Sequence, residues 1–202
     1  MKKKRNVADN HPNVFLGRAA IILGGFLLFS SLTLGFMFDF SVRHVAAVGG
    51  PFKLVSHNSQ VVSDEDYLGR PYLVFFGYTH CQDVCPMMLF QVSEALRSLG
   101  PDANISVIFV TVDPERDNPA ILKDYLANFD PRIDGLSGER PAINQMLKSF
   151  HIYSKNVPLK NNDYAINHTT VVYLMNKLGE FVGTLDVSGR ADDTAALLRK
   201  YL

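Results

Sequence analysis

Cysteine is almost missing from this chain: 202 residues carry only Cys81 and Cys85. A bridge between them would close a loop of a few residues and constrain the unfolded chain little, so a disulfide-stapled scaffold is excluded. An iron–sulfur cluster usually needs more thiolates than two. Net charge is missing as well, since 20 Lys and Arg balance 20 Asp and Glu. Nothing in the body is basic enough to mark a nucleic-acid partner. There is no internal repeat and no low-complexity tract.

Charge is also absent, locally, from Ala19 to Phe38, an apolar run of 20 residues. At about 1.5 Å per residue that is long enough to cross a bilayer core. Before it, Lys2, Lys3, Lys4, Arg5 and Arg18 stand against Asp9 alone, a net +4 that leaves −4 to the remainder. The sequence therefore predicts a cytoplasmic basic tail (1–18), a transmembrane anchor (19–38), a linker (39–50) and an exported domain (51–202). The competitor is a cleaved signal peptide with Ala46-Ala47 as its small-residue site, but signal peptides carry shorter apolar regions and Arg43 and His44 lie just before that site. The initial stretch is too short and serine-poor for an organelle transit peptide. A bacterial inner membrane, with the domain in the periplasm, fits best.

What is present centres on Gly77-Tyr78-Thr79-His80-Cys81-Gln82-Asp83-Val84-Cys85-Pro86. The apolar run Tyr72–Phe76 before it reads as a buried strand. After it Met88, Val92, Ala95, Leu96 and Leu99 recur at helical spacing. A helix starting near Gln82 would put both sulfurs on one face, and free amides at its start would favour thiolate.

Around this centre, short strands are predicted at 52–55 and 60–62, a strong one at 105–112, a brief one at 136–138, and strands at 168–175 and 180–185. Helices are predicted at 121–129, 141–150 and 192–202. Tyr153 to Asn167 reads as a polar, irregular loop of functional length. The order is α/β with a right-handed βαβ unit and a closing hairpin, a thioredoxin-like mixed sheet flanked by helices. Ligands in such sheets gather beyond the carboxyl ends of the parallel strands, where Cys81, Cys85 and the Asp113–Asp117 loop fall.

A thioredoxin redox centre has two residues between its cysteines; three stand here. The proline that thioredoxins place before the closing strand is also missing. His168-Thr169 takes its place, and the nearest upstream proline is Pro158. Two thiolates and an imidazole make a soft, three-coordinate set. Zinc in a structural role would want a fourth protein ligand, while copper, as Cu(I) or Cu(II), fits. The bland alternatives are an inert cysteine pair and a strand-edge histidine. His80 reads as a surface residue, His57 and His151 as loop and helix-end residues, and His11 and His44 as tail and linker residues. The Asp113–Asp117 cluster is either turn chemistry or a set of charges that guides a partner or supports the site. Met87 and Met88 are either accessory soft ligands or packing.

Three stretches, Gly77-Tyr78-Thr79-x-Cys81-x-Asp83-Val84-Cys85-Pro86, Val112-Asp113-Pro114-Glu115-Arg116-Asp117, and Asp163-Tyr164 followed by His168-Thr169, closely resemble the Sco/SenC family. The resemblance spans about residues 51–202. It implies a membrane-anchored, thioredoxin-fold copper protein that helps mature the dinuclear copper centre of cytochrome c oxidase subunit two. Carried over residue by residue, the copper ligands are Cys81, Cys85 and His168. The family usually has proline where this chain has Gln82, a difference that touches loop rigidity more than the ligands. The competing classes are a periplasmic thiol–disulfide reductase, in which Cys81 and Cys85 react and His168 is dispensable, and a copper or redox sensor. Partners are accordingly the oxidase subunit and other copper or thiol-redox proteins.

Overall fold

The computed structural model describes residues 48–202. The predicted tail, anchor and nearly all of the linker lie outside these residues. Among the described residues no helix is long and apolar enough to cross a membrane.

The described chain runs β1 (Lys53–Ser56), β2 (Val61–Ser63), β3 (Tyr72–Gly77), α1 (Val84–Leu99), β4 (Ser106–Thr111), α2 (Pro119–Leu126), β5 (Ile133–Ser137), α3 (Arg140–Ser149), β6 (Ser154–Pro158), β7 (Tyr164–His168), β8 (Val172–Met175), β9 (Phe181–Leu185) and α4 (Ala191–Leu198). Seven strands form one mixed sheet in the order β2-β1-β5-β4-β3-β8-β9. At its centre β3, β4 and β5 are parallel, while β8 closes antiparallel on β3. The α/β arrangement of a mixed sheet flanked by helices is the one the sequence predicts.

β3 and β4 are buried at every position because both faces of the sheet are covered. Their side chains alternate between two cores. Leu73, Phe75, Val107 and Phe109 pack on one face with Leu89, Val92 and Leu96 of α1. Val74, Phe76, Ile108 and Val110 pack on the other with Ile143, Met146 and Leu147 of α3. α2 starts where Asn118 caps the Ile121 N–H at 3.0 Å with Pro119 at its first turn. α1 ends at Gly100, whose φ of 93° suits glycine.

Three local expectations are corrected. Tyr153 to Asn167 is not an irregular loop: β6 and β7 pair as an antiparallel hairpin from Ser154↔His168 to Pro158↔Tyr164. Every β6 residue after Ser154 is exposed, so no apolar alternation announces the strand. His168 does not open a closing strand that runs to Met175. It ends β7, and β8 begins at Val172. Finally, α1 begins at Val84 rather than near Gln82, leaving Cys81 in the preceding turn, where its N–H bonds the Tyr78 carbonyl at 3.2 Å. The two cysteines do not share a helical face.

Candidate metal centre

β3 delivers the chain to the sheet's carboxyl edge at Gly77, where no side chain fits. A β-carbon there would lie 2.6 Å from the Phe109 ring and 3.0 Å from Cys85 Sγ. Beyond Gly77 the turn is held from beneath by Asp117, which is fully buried. Its carboxyl accepts the Thr79 N–H (2.9 Å), the Thr79 hydroxyl (2.6 Å) and the Thr111 hydroxyl (2.7 Å). The second carboxylate of that loop, Asp113, is also fully buried. It accepts the Tyr164 hydroxyl at 2.8 Å and pairs with Arg116. The loop makes turn bonds of its own, the Arg116 and Asp117 N–H groups both reaching the Asp113 carbonyl, and its carboxylates also reach the cysteine turn at Thr79 and the hairpin at Tyr164.

Cys85 sits in the first turn of α1 with no exposure, packed in the core on that face of the sheet. Burial pushes its thiol far up, against ionisation. Cys81 is half-buried and touches both cores. The Cys85 N–H points at Cys81 Sγ, 3.4 Å away, so a sulfur accepts one of the free amides that open the helix. Asp83, at the cap position, makes no such bond. Both cysteines are free thiols.

The imidazole arrives from the hairpin. His168 Nε2 stands 3.8 Å from Cys85 Sγ, across 83 residues of sequence. Its Nδ1 lies 2.9 Å from the Thr169 carbonyl, which can only accept, so Nδ1 carries the proton. In the neutral ring Nε2 then offers a lone pair toward the sulfur. Burial lowers the His168 pKa despite the opposing pull of that carbonyl, which keeps the lone pair free. The Tyr78 ring meets the imidazole edge to face at 5.7 Å.

Two donors sharing a first-row metal at bond lengths of about 2.0–2.3 Å stand roughly 3.5–4 Å apart. The Cys85–His168 spacing meets that condition. The third predicted donor is not yet gathered. Among the described residues no three His, Cys, Asp or Glu side chains converge as a metal-holding group. Cys81 lines an adjoining cleft of about 370 Å³ with Tyr78, His80, Arg116, Leu159 and Tyr164. His80 is exposed, as predicted, with the Thr79 hydroxyl 3.2 Å from Nδ1. Met88 packs partly on the core, whereas Met87 is 53% exposed and lines an apolar groove beside α1.

The sequence reading gave Arg116 and Tyr164 no contact of their own beyond their place in the matching stretches. The guanidinium lies 3.8 Å over the Tyr164 ring, and Nη1 reaches Asp163 Oδ1 and the Tyr164 carbonyl, each at 3.1 Å. A signal existed in Tyr164-Ala165-Ile166-Asn167-His168. Alternation in a strand puts Tyr164, Ile166 and His168 on one face, but only Ile166 among them is plainly apolar.

A mixed sheet with a dithiol and an imidazole at its carboxyl edge has the donors for thiol exchange or for a soft metal. Residues 41–202 match the SCO1/SenC family, and the chain belongs to that family. It is 33% identical over 166 residues to the mitochondrial SCO1 homolog of Homo sapiens, covering 79% of this chain and 55% of that protein. The chain thus spans little more than half the length of that relative. It is also similar to Bradyrhizobium japonicum ScoI with copper bound, at 47% identity and a TM-score of 0.75, covering 77% of this chain and 100% of that one. A further similar structure is that of BsSco, described as a member of the Sco family of cytochrome c oxidase assembly proteins with a disulfide switch. It is 26% identical with a TM-score of 0.61, covering 77% of this chain and 92% of that one.

Proposed function

We propose that this chain carries copper as cargo, bound through Cys81, Cys85 and His168, and delivers it during assembly of the dinuclear copper centre of cytochrome c oxidase subunit two. The single observation that carries the reading is the lone pair of His168 Nε2 standing 3.8 Å from Cys85 Sγ. Copper accepts this mixture of soft thiolate and imidazole. Support also comes from the copper-bound B. japonicum relative and from the cytochrome c oxidase assembly role described for BsSco's family.

In this reading Cys85 and His168 are the seated pair, and Cys81 swings from the Cys85 amide to complete three-coordination. Being half-buried, Cys81 is the sulfur a partner reaches first, so an incoming thiolate can enter before the metal is bare. The anchor at 19–38 would tether residues 51–202 in the periplasm of a bacterial inner membrane. Reporters fused at the C-terminus test that placement: activity confined to the cytoplasm would rule it out.

Ligand removal in the full chain tests the carrier. Cys81→Ser and Cys85→Ser each replace a soft thiolate with a hydroxyl, and Cu(I) binding should collapse. His168→Ala leaves two thiolates, so Cu(I) affinity weakens and Cu(II) binding suffers more. Oxidase assembly should fail with His168→Ala while thiol exchange persists. Near-normal assembly with that variant sinks the carrier.

A second reading draws on one feature, an accessible thiol beside a buried one. As a thiol–disulfide reductase, Cys81 thiolate would attack a target disulfide. Cys85 would then displace the target, leaving a Cys81–Cys85 disulfide and a target dithiol. An oxidised pair cannot hold Cu(I) as two thiolates, so the two activities would alternate.

A further inference from the structure

The Arg116 side chain joins the loop after β4 to the hairpin that carries His168, and neither proposed activity requires it to touch metal. Arg116 belongs to the loop after β4. Its Nε pairs with buried Asp113, and Nη1 donates to Asp163 Oδ1 and the Tyr164 carbonyl. Its guanidinium stacks on Tyr164 at 3.8 Å, and the Tyr164 hydroxyl returns to Asp113 at 2.8 Å. Nη2 is buried without a partner among the described residues. Burial works against the Arg116 charge, but Asp113, Tyr164 and Asp163 outweigh it and hold the guanidinium above its ordinary value. At the other end of the hairpin Tyr153 and Thr169 close its base with two bonds, of 3.0 and 3.1 Å, to each other. Between these ends only Ile166 is buried, its N–H on the Tyr78 hydroxyl at 3.2 Å.

We propose that Arg116 is a positioning residue for His168: by clamping Tyr164 and Asp163 of the hairpin to Asp113, it sets where the imidazole stands over Cys85. The proposal rests on the reading of His168 as a ligand. Its physical basis is that β7 is short. Tyr164 and His168 are on one face of the strand, four residues apart. A shift at Tyr164 is therefore carried to the imidazole, whose lone pair must stay within reach of one sulfur. Lysine could not replace the clamp, because a single ammonium cannot span Asp113 and Asp163 while stacking on a ring.

The test is a double-mutant cycle on the full, reduced chain, read by Cu(I) competition and by amide exchange without metal. Arg116→Ala should speed exchange across residues 164–168 and lower copper affinity by about tenfold, the scale of residues that orient metal ligands. In a His168→Ala background the same substitution should cost nothing further. Arg116→Lys should behave like Arg116→Ala. Tyr164→Phe, which removes one hydroxyl and keeps the stack, should give a smaller loss with the same dependence on His168, and it carries the test should Arg116→Ala fail to fold.

An equal loss in both backgrounds overturns the proposal, since Arg116 would then act on the fold at large. Wild-type affinity in Arg116→Lys also overturns it, leaving charge rather than the clamp. Unchanged affinity in His168→Ala alone overturns the ligand reading and the proposal with it. In that case, faster exchange at 164–168 in Arg116→Ala would show that the tether exists and that the ligand reading is what failed.

Discussion

The two halves of the site are built to different standards. The cysteine turn is set into the sheet. It leaves β3, which pairs with β4 over six registered positions from Tyr72↔Ser106 to Gly77↔Thr111, and buried Asp117 holds it through two hydrogen bonds from Thr79 while a third, from Thr111, ties the carboxyl to β4. The hairpin that brings His168 pairs only with itself and belongs to no part of the main sheet. It is attached through Ile166 and, at one end, through Tyr164 and Arg116, while Tyr153 and Thr169 at the other end bond each other across its base. A two-stranded ribbon with one buried side chain is marginal by itself. The difference teaches that the dithiol is a fixed half and the imidazole an adjustable one. That division would suit the proposed carrier, whose site holds a cargo and gives it up.

Amide exchange should break or sharpen this contrast most sharply. In the metal-free protein β6 and β7 should open by local fluctuation, orders of magnitude faster than β3 and β4, which exchange near the limit of global unfolding. Adding copper should slow residues 164–168 and leave β3 unchanged. Equal protection of hairpin and sheet without metal would erase the distinction between the halves.

Asp117→Ala comes next in size. It removes the acceptor shared by the half-buried Thr79 amide and hydroxyl and the buried Thr111 hydroxyl. A loss of about 3 kcal/mol in unfolding free energy is expected, since each unpaired buried group is costly. Denaturant unfolding measures it. A loss under about 0.5 kcal/mol, the range of an ordinary surface substitution, would mean the turn does not depend on Asp117.

These contrasts also explain what could be read from the chain beforehand. β3 and β4 were legible because burial on both faces leaves continuous apolar runs, and α2 because Asn118-Pro119 is a helix start written in two residues. Cys81, Cys85 and His168 stood out because soft donors are rare here and stand at one end of the sheet. The hairpin was not legible. Its exposed β6 strand has no apolar period, and two of the three inward residues of β7, Tyr164 and His168, carry polar tips. Arg116 looked like turn charge because one partner, Asp113, is three residues away while the others, Asp163 and Tyr164, are more than forty residues away in sequence. Cys81 was misplaced on the helix because spacing alone cannot reveal that Asp117 holds Thr79 and keeps the turn open until Val84.

Gly77→Ala probes the fixed half more gently. The added methyl meets the Phe109 ring and Cys85 Sγ, so neighbours must move, at a cost of about 1–3 kcal/mol. Because one of those neighbours is a proposed ligand, Cu(I) affinity should fall along with the melting temperature. A destabilised protein with unchanged copper affinity would show that Cys85 Sγ has more freedom than its full burial implies.

The smallest effect is expected where the halves touch. Tyr78 belongs to the cysteine turn, yet its hydroxyl accepts the Ile166 N–H and its ring stands edge-on to His168. Burial raises the pKa of that hydroxyl and keeps it neutral. Tyr78→Phe keeps the ring and deletes the hydroxyl, leaving one buried amide unpaired at a cost of about 1 kcal/mol. If the fixed half steadies the adjustable one through this bond, exchange should quicken at Ile166 and its hairpin neighbours, while Thr79 and the β3 amides stay as they were. Quickening spread evenly over turn and hairpin would mean that the two halves move as one body, and that their separation is only a matter of topology.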